Sequence, residues 1–169
     1  MHYVDKYQSP LGGMTMASDG DALAGLWFDN QKYFAGALSG EGEERALPVF
    51  MQTKEWLDIY FNGRIPEFVP RMAVDARAFR VTVWNILRKI PYGQTITYKE
   101  IADKIARQRG LAHMSAQAVG GAVAHNPISI IVPCHRVVGT NGSLTGYAGG
   151  IERKKKLLIL EKANAPRVI

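Results

Sequence analysis

The single cysteine of this 169-residue chain, Cys134, is followed directly by His135 and Arg136. A thiol becomes an effective nucleophile as its thiolate, which a nearby base or positive charge favours. His135 is a candidate for that base and Arg136 for that charge, while Pro133 restrains the backbone just before the thiol. A lone cysteine in an apolar stretch is more often a small core residue. The local sequence therefore leaves a nucleophile and a core residue as alternatives.

Composition limits the classes of protein to consider. A chain of this length buries ~70% of its extended surface, so neither a disulfide nor a metal is needed to build a core. One cysteine excludes an intramolecular disulfide, and the other histidines show no metal-ligand spacing, so we expect no metal site. Neither a signal peptide nor an apolar stretch of ~18 residues is present, which predicts a reduced, cytoplasmic protein without membrane contact. The net charge of +6 favours a polyanionic partner.

The first half of the chain predicts a small α/β domain over residues 1–75. Alternating or apolar runs separated by turn residues predict an antiparallel meander with strands at 3–7, 14–17 and 22–28. A helical apolar stripe predicts a helix at 48–61. The proline-containing segment 65–72 is expected to be an extended linker, and residues 34–45 a surface loop.

The second half, residues 76–169, predicts a mainly helical domain. Thr97 and Glu100 form a capping box that opens a short helix, and Ser115 can cap a helix of small residues at 116–124. These two helices suggest a helix-turn-helix whose second helix enters a nucleic-acid groove. Further helices are predicted at 76–90 and 151–163, extended segments at 129–132 and 136–138, and a solvated basic face at 153–156. The fold class is thus a two-domain α+β or α/β protein, with an antiparallel sheet and helix followed by a helical domain that holds the cysteine loop.

A series of motifs extends from residue 91 to residue 150. They are Pro91-Tyr92-Gly93-Gln94 with Thr97-Tyr98, Ala118-Val119-Gly120-Gly121-Ala122, Asn126-Pro127-Ile128, Pro133-Cys134-His135-Arg136-Val137 and Gly146-Tyr147-Ala148-Gly149-Gly150. In this order the series resembles the O6-alkylguanine-DNA alkyltransferases, or methylated-DNA–protein-cysteine methyltransferases, strongly over 79–161 and in outline over 1–72. The resemblance implies direct-reversal DNA repair, in which a flipped O6-alkylguanine irreversibly transfers its alkyl group to the protein's own cysteine. It implies a single-turnover enzyme without a cofactor, and leaves open whether O4-alkylthymine is repaired.

The resemblance also assigns catalytic roles to residues of this chain. Cys134 matches the nucleophile, His135 the base that removes the thiol proton through a water, and Glu161 the carboxylate that orients the histidine. Tyr98 matches a tyrosine that crowds the target phosphate and can protonate the leaving guanine. Asn126 matches an asparagine that ties the turn between the recognition helix and the active-site loop.

The implied partner is double-stranded DNA, bound through the minor groove by a monomer without strong sequence preference. Many family members carry an arginine just before the Ala-Val-Gly run, where this chain has Gln117, which we expect to fill the space left by the flipped base. Arg107 and Arg109 are candidates for phosphate contacts. The residues expected to bind substrate or DNA are Gln117, Ala118, Val119, Gly120, Val132, Arg136, Tyr147, Ala148 and Gly149.

Two other functions remain as alternatives. The first is a non-enzymatic sensor that binds alkylguanine, although relatives of that kind replace the acceptor cysteine, which this chain keeps. The second is a cysteine–histidine hydrolase or acyltransferase, which explains the thiol and its base but not the helix-turn-helix or the positive charge. Covalent labelling by a benzylated guanine base, without turnover, separates the alkyltransferase from both.

Overall fold

The computed structural model describes residues 2–31, 42–73 and 78–164. These residues form two compact units. The first unit contains the described residues up to 73 together with Pro127–Ser129, and the second contains the remaining described residues from 78 onwards. Within these ranges, no helix has the length and apolar character needed to span a membrane.

The described residues of the first unit include a sheet in which the first strand of the chain lies between the second and fourth, and the third lies beside the second at the other edge. β1 (Tyr3–Ser9) and β2 (Gly12–Ser18) form an antiparallel hairpin, and β3 (Leu23–Phe28) pairs antiparallel with β2, which confirms the predicted meander. β4 (Glu43–Glu44) pairs parallel with β1. The expectation of a loop is therefore wrong at these two residues, because strand pairing outweighs the low strand propensity of glutamate. Residues 34–41 of that predicted loop lie outside the described residues.

One helix, α1 (Pro48–Phe61), belongs to the first unit and has the predicted bounds. Its apolar stripe is buried, with Phe50, Leu57 and Tyr60 each 0% exposed. Proline is tolerated in the first turn of a helix, where its missing N–H has no acceptor to lose. The segment 65–72 is not helical, as predicted, and its last residue forms an isolated parallel bridge with Leu23.

The second unit contains four described helices, α2 (Ala78–Leu87), α3 (Tyr98–Arg109), α4 (Ala116–Ala124) and α5 (Ile151–Asn164). Both predicted caps are confirmed: the Thr97 hydroxyl accepts a hydrogen bond from the Glu100 N–H, and the Ser115 hydroxyl accepts one from the Ala118 N–H. Each cap satisfies a backbone N–H that the first helical turn leaves free. α3 packs against α4, and α2 packs against both.

The segment that contains the cysteine is short and irregular. Residues 134–136 form a single 3-10 turn, followed by β6 (Val137–Val138), which pairs parallel with β5 (Ile96–Thr97). The prediction of an extended segment at 129–132 is wrong, because these residues turn and Ile130 has a φ of +69°. A β-branched residue rarely adopts this left-handed conformation, so its sequence gave no sign of the turn.

The basic run in α5 is not uniformly solvated. Lys155 and Lys156 are exposed as predicted, but Lys154 is 0% exposed. Its ammonium group donates hydrogen bonds to the backbone carbonyls of Val137 and Thr145. α5 packs against the 3-10 turn, and this one lysine of the run is buried.

Candidate active site

Cys134 begins the 3-10 turn and is 6% exposed. Burial raises the pKa of its thiol, and this effect is opposed by a hydrogen bond with the Asn126 side chain and by the positive charge of Lys154. The raised pKa means that the thiol is protonated at neutral pH. The cation that acts on the thiol is therefore Lys154, rather than Arg136 as the sequence suggested.

His135 is fully buried, and its two ring nitrogens differ in their hydrogen bonding. Nε2 hydrogen-bonds to Oε2 of Glu161, whereas Nδ1 has no hydrogen-bond partner among the described residues. Burial lowers the pKa of His135 despite the neighbouring carboxylate, so the ring is neutral at neutral pH. A neutral imidazole that donates from Nε2 presents a lone pair at Nδ1. His135 is thus arranged as a base.

Glu161, on α5, is also fully buried and accepts several hydrogen bonds. Besides His135, Nε of Arg136 donates to Oε1 at 2.7 Å and the Gly93 N–H donates to the same oxygen at 3.3 Å. Burial by itself would raise the pKa of this carboxyl, but its bonds with His135 and Arg136 outweigh burial and lower the pKa to about 2. Glu161 is therefore an ionised carboxylate.

Arg136 occupies a structural position. Its NH1 group donates to the Ile90 carbonyl at 2.6 Å, and its guanidinium lies 5.6 Å from the centre of the Tyr92 ring. Only 8% of the residue is exposed. A buried guanidinium needs its charge paired, and here Glu161 pairs it. The expected contact of Arg136 with substrate or DNA stays a prediction.

Asn126 connects the end of α4 to the cysteine segment. Its amide nitrogen Nδ2 donates to the Val132 carbonyl at 2.8 Å, and its side chain hydrogen-bonds with the Cys134 thiol. Val132 itself is 0% exposed. Its carbonyl accepts the asparagine amide and retains a second lone pair, so the expected contact of this backbone with the flipped guanine stays a prediction.

A groove of about 440 Å³ lies between the start of α3, one face of α4 and the segment 139–146. Tyr98, Gln117 and Gly120, three of the predicted site residues, line it. The Tyr98 hydroxyl donates to the Thr145 carbonyl at 2.9 Å. Burial raises the pKa of Tyr98 to about 12, so the phenol keeps its proton. The groove thus combines a proton donor with a wall of small residues.

The remaining predicted binding residues differ in exposure. Ala118 is exposed on α4, whereas Val119 is 0% exposed, and the expectation that both positions bind DNA stays a prediction. Helical periodicity explains the difference, because successive residues of an α-helix lie about 100° apart around its axis, so neighbours in sequence can differ in burial. Tyr147 and Gly149 are buried, and Ala148 is half-buried.

Lys154 is the functional candidate that the sequence did not single out. A signal was available: Lys154, Leu157 and Glu161 follow one another at intervals of three and four residues, which places them on one face of a helix. All three are 0% exposed. Across the described ranges, no group of three His, Cys, Asp or Glu side chains could hold a metal ion.

Two family models match the chain. One, described as "6-O-methylguanine DNA methyltransferase, DNA binding domain", matches residues 78–163, and the other, described as "6-O-methylguanine DNA methyltransferase, ribonuclease-like domain", matches residues 2–69. The methylated-DNA–protein-cysteine methyltransferase of Mycobacterium tuberculosis is 44% identical over 158 residues, covering 94% of this chain and 91% of the relative. The protein of the same name from Haemophilus influenzae is 39% identical over 162 residues, covering 95% and 86%.

Solved structures show the same similarity. Mycobacterium tuberculosis OGT in complex with DNA has a TM-score of 0.82 and 41% identity, covering 97% of this chain and 95% of that one. The O6-methylguanine methyltransferase of the same organism has a TM-score of 0.81 and 39% identity, covering 99% and 97%. The fold and the sequence therefore lead to one group of proteins.

Proposed function

Because the chain belongs to the family of methylated-DNA–protein-cysteine methyltransferases, its reaction is direct-reversal DNA repair by alkyl transfer, and we propose that Cys134 receives the alkyl group of O6-alkylguanine. The observation that supports this assignment is the buried arrangement around the only thiol of the chain. Asn126 hydrogen-bonds to the thiol, and the next residue, His135, is a neutral base held by the carboxylate of Glu161.

The chemistry follows from the protonation states of these groups. A water passes the thiol proton of Cys134 to Nδ1 of His135, and Glu161 stabilises the imidazolium that forms. Sγ then attacks the alkyl carbon, so that the sulfur–carbon bond forms while the carbon–O6 bond breaks. The departing guanine takes a proton from the Tyr98 hydroxyl, and the proton on His135 returns to Tyr98 through solvent. The products are a thioether and an unmodified guanine.

DNA binding is assigned to the groove beside Tyr98. In this proposal α3 and α4 form a helix-turn-helix, and α4 enters the minor groove, where its small exposed side chains allow close approach to the backbone. Gln117, exposed on α4 at the groove, fills the space left by the flipped base. Small side chains read few base edges, so binding has little sequence preference. Cytoplasmic location, a monomeric state and repair of O4-alkylthymine stay predictions.

Intact-mass spectrometry after incubation with a duplex containing one O6-methylguanine tests the assignment of Cys134. We expect a gain of one methyl group per protein, mapped to Cys134, and no gain for Cys134→Ser, which retains binding to the duplex. Lesion-selective binding without a mass gain would overturn the proposal in favour of a non-enzymatic sensor. Repeated turnover of substrate without a modified protein would favour a hydrolase.

Replacing Gln117 by alanine tests the role of that side chain. We expect Gln117→Ala to weaken binding to the lesion duplex and to slow methyl transfer. Without this side chain in the vacated space, the flipped-out conformation of the alkylated base is less stable. Duplex affinity and single-turnover rate are the measurements. Gln52→Ala, an exposed glutamine on α1, is the matched control. Unchanged affinity and rate in Gln117→Ala would reject this residue as the one that replaces the flipped base.

A further inference from the structure

The groove beside Tyr98 contains a positive charge that the proposed reaction does not yet use. Among the described residues that line the groove, Lys99 is the one that carries a charge. Lys99 follows Tyr98 in the first turn of α3 and is exposed. Within the described ranges its ammonium group forms no ion pair with a carboxylate. An anion that enters the groove therefore meets a cation that has no carboxylate partner.

The position of Lys99 in α3 is unfavourable for the helix itself. The N-terminus of a helix is the positive end of its dipole, which repels cations in the first turn and attracts anions. Glu100, in the same turn, has the favoured charge, whereas Lys99 has the opposite one. An anion bound beside Lys99 offsets this repulsion. The placement thus favours a role in binding over a role in stabilising the helix.

The helix proposed to enter the minor groove has no charge of its own. Residues 115–124, which comprise α4 and its N-cap, contain no charged side chain. A DNA duplex carries one phosphate charge per about 1.7 Å of its axis, so close approach places phosphates beside this helix. A cation that pairs with a phosphate in the groove must therefore come from a neighbouring element. Lys99, on α3, lines the same groove as Gln117.

We propose that Lys99 binds a backbone phosphate adjacent to the flipped nucleotide. The inference rests on the proposed use of this groove for DNA and of Gln117 as the residue that replaces the flipped base. Gln117 fills the vacated space but is uncharged, whereas Lys99 pairs with the strand from which the base has left. The contact is an ion pair without a covalent step. It stabilises the opened duplex and leaves the bond-breaking step at Cys134 unchanged.

The salt dependence of duplex binding tests whether Lys99 contacts a phosphate. We expect Lys99→Met to reduce the slope of log affinity against log salt by about 0.9, because one fewer counterion is released on binding. Lys99→Arg keeps the charge and should keep the slope. Lys155→Met, which removes an exposed charge from α5, is the matched control. A slope in Lys99→Met equal to that of the unmodified protein overturns the inference.

Uncharged phosphate analogues locate the contact on the DNA. In a set of lesion duplexes, a methylphosphonate replaces one phosphate at a time. We expect neutralisation of a linkage beside the O6-methylguanine to weaken binding of the unmodified protein more than binding of Lys99→Met, because the variant has already lost that ion pair. Equal losses in the two proteins at both linkages beside the lesion overturn the assignment to an adjacent phosphate.

A substrate without a phosphate separates this contact from the chemistry. We expect a free benzylated guanine base to label Cys134 at the same rate in Lys99→Met and in the unmodified protein, while methyl transfer from a sub-saturating lesion duplex is slower in the variant. Equal slowing with both substrates would place Lys99 at the reacting groups and overturn the phosphate contact. If the unmodified protein reacts with neither substrate, the proposed function fails, whereas the salt slopes still decide the role of Lys99.

Discussion

The carboxylate of Glu161 hydrogen-bonds to two buried side chains, one neutral and one positively charged. Its Oε2 accepts from the neutral ring of His135, while its Oε1 pairs with the permanent charge of Arg136. Arg136 keeps Glu161 ionised, and the ionised carboxylate fixes the tautomer in which Nδ1 of His135 is free to accept a proton. The base therefore depends on an arginine that has no direct part in the chemistry.

Acid should destabilise the protein through Glu161. Its pKa is near 4.5 when unperturbed and about 2 in the folded state. Because the folded value is the lower one, the stabilisation is complete above about pH 4.5 and is lost as the pH falls towards 2, which amounts to roughly 3 kcal/mol. Urea unfolding between pH 6 and pH 2 measures this loss. Glu161→Gln should remove this part of the pH dependence.

At pH 7 the same variant should be less stable than the unmodified protein by about 3–5 kcal/mol, because Arg136 is left as a buried charge without its partner. Glu152→Gln changes an exposed glutamate of the same helix and should leave the free energy of unfolding almost unchanged. A Glu161→Gln variant as stable as Glu152→Gln would contradict this account of the pair.

Individual residue types indicated the nucleophile and its base, but not the environment around them. Cys134 and His135 are adjacent in the sequence, whereas Glu161 could be connected to them only through family resemblance. Lys154 escaped notice because charge runs on helices are usually solvated, and its spacing from Leu157 and Glu161 was the one sign that it shares their face. Its burial follows from tertiary packing of α5 against the 3-10 turn.

At the scale of elements, the loop that begins after β6 depends on glycine where it meets α3. Gly146 has a φ of +73°, and a Cβ built on it would lie 3.0 Å from the Tyr98 hydroxyl oxygen. Left-handed backbone costs an ordinary residue roughly 1–2 kcal/mol. A side chain here would therefore strain the loop and displace the tyrosine as well.

Comparing two glycines separates these effects. Gly146→Ala should slow methyl transfer, because it both strains the backbone and moves Tyr98. Gly150→Ala shares the positive φ, at +95°, but its Cβ meets nothing within 4 Å, so it should lower stability while largely preserving the rate. Single-turnover rates and urea unfolding of the two variants provide the measurements. Equal rate losses would show that contact with Tyr98 is unimportant.

Capping residues in the sequence correctly predicted where two helices begin, because a cap acts within a few residues of its helix. Thr97 and Ser115 cap α3 and α4 through side-chain hydrogen bonds that the sequence already indicated. By contrast, the strand at Glu43–Glu44 forms by pairing with the edge of β1, and the turn at Ile130 places a β-branched residue at positive φ. Both depend on distant parts of the chain, which explains why propensity missed them.

At the scale of the whole molecule, the grouping of residues is not a simple division of the sequence. Pro127–Ser129 belong to the first compact unit, where Ile128 forms a parallel bridge with Leu26. Asn126 and Val132, which flank this excursion, are joined by the asparagine amide within the second unit. Composition offers no sign of such an excursion, because the segment is too short to form an element of its own.

The net charge of +6 should make duplex binding strongly dependent on salt. Arg107 is exposed near the end of α3, whereas Arg109 is restrained by a 3.1 Å bond to the Thr82 hydroxyl. If Arg107 contacts one phosphate, Arg107→Gln should reduce the slope of log affinity against log salt by about 0.9. Arg45→Gln, which removes an exposed arginine of the first unit, should leave the slope unchanged. Equal slopes for all three proteins would rule out this phosphate contact.

The burial of Cys134 also bears on how long each molecule remains usable. A protein that reacts once is inactivated by any small oxidant or electrophile that reaches its sulfur first, and such reagents attack the thiolate. Cys134 is 6% exposed and its raised pKa keeps it protonated, so little thiolate is present in the unreacted protein. Seclusion of the sulfur thus preserves the unreacted protein during the interval between lesions.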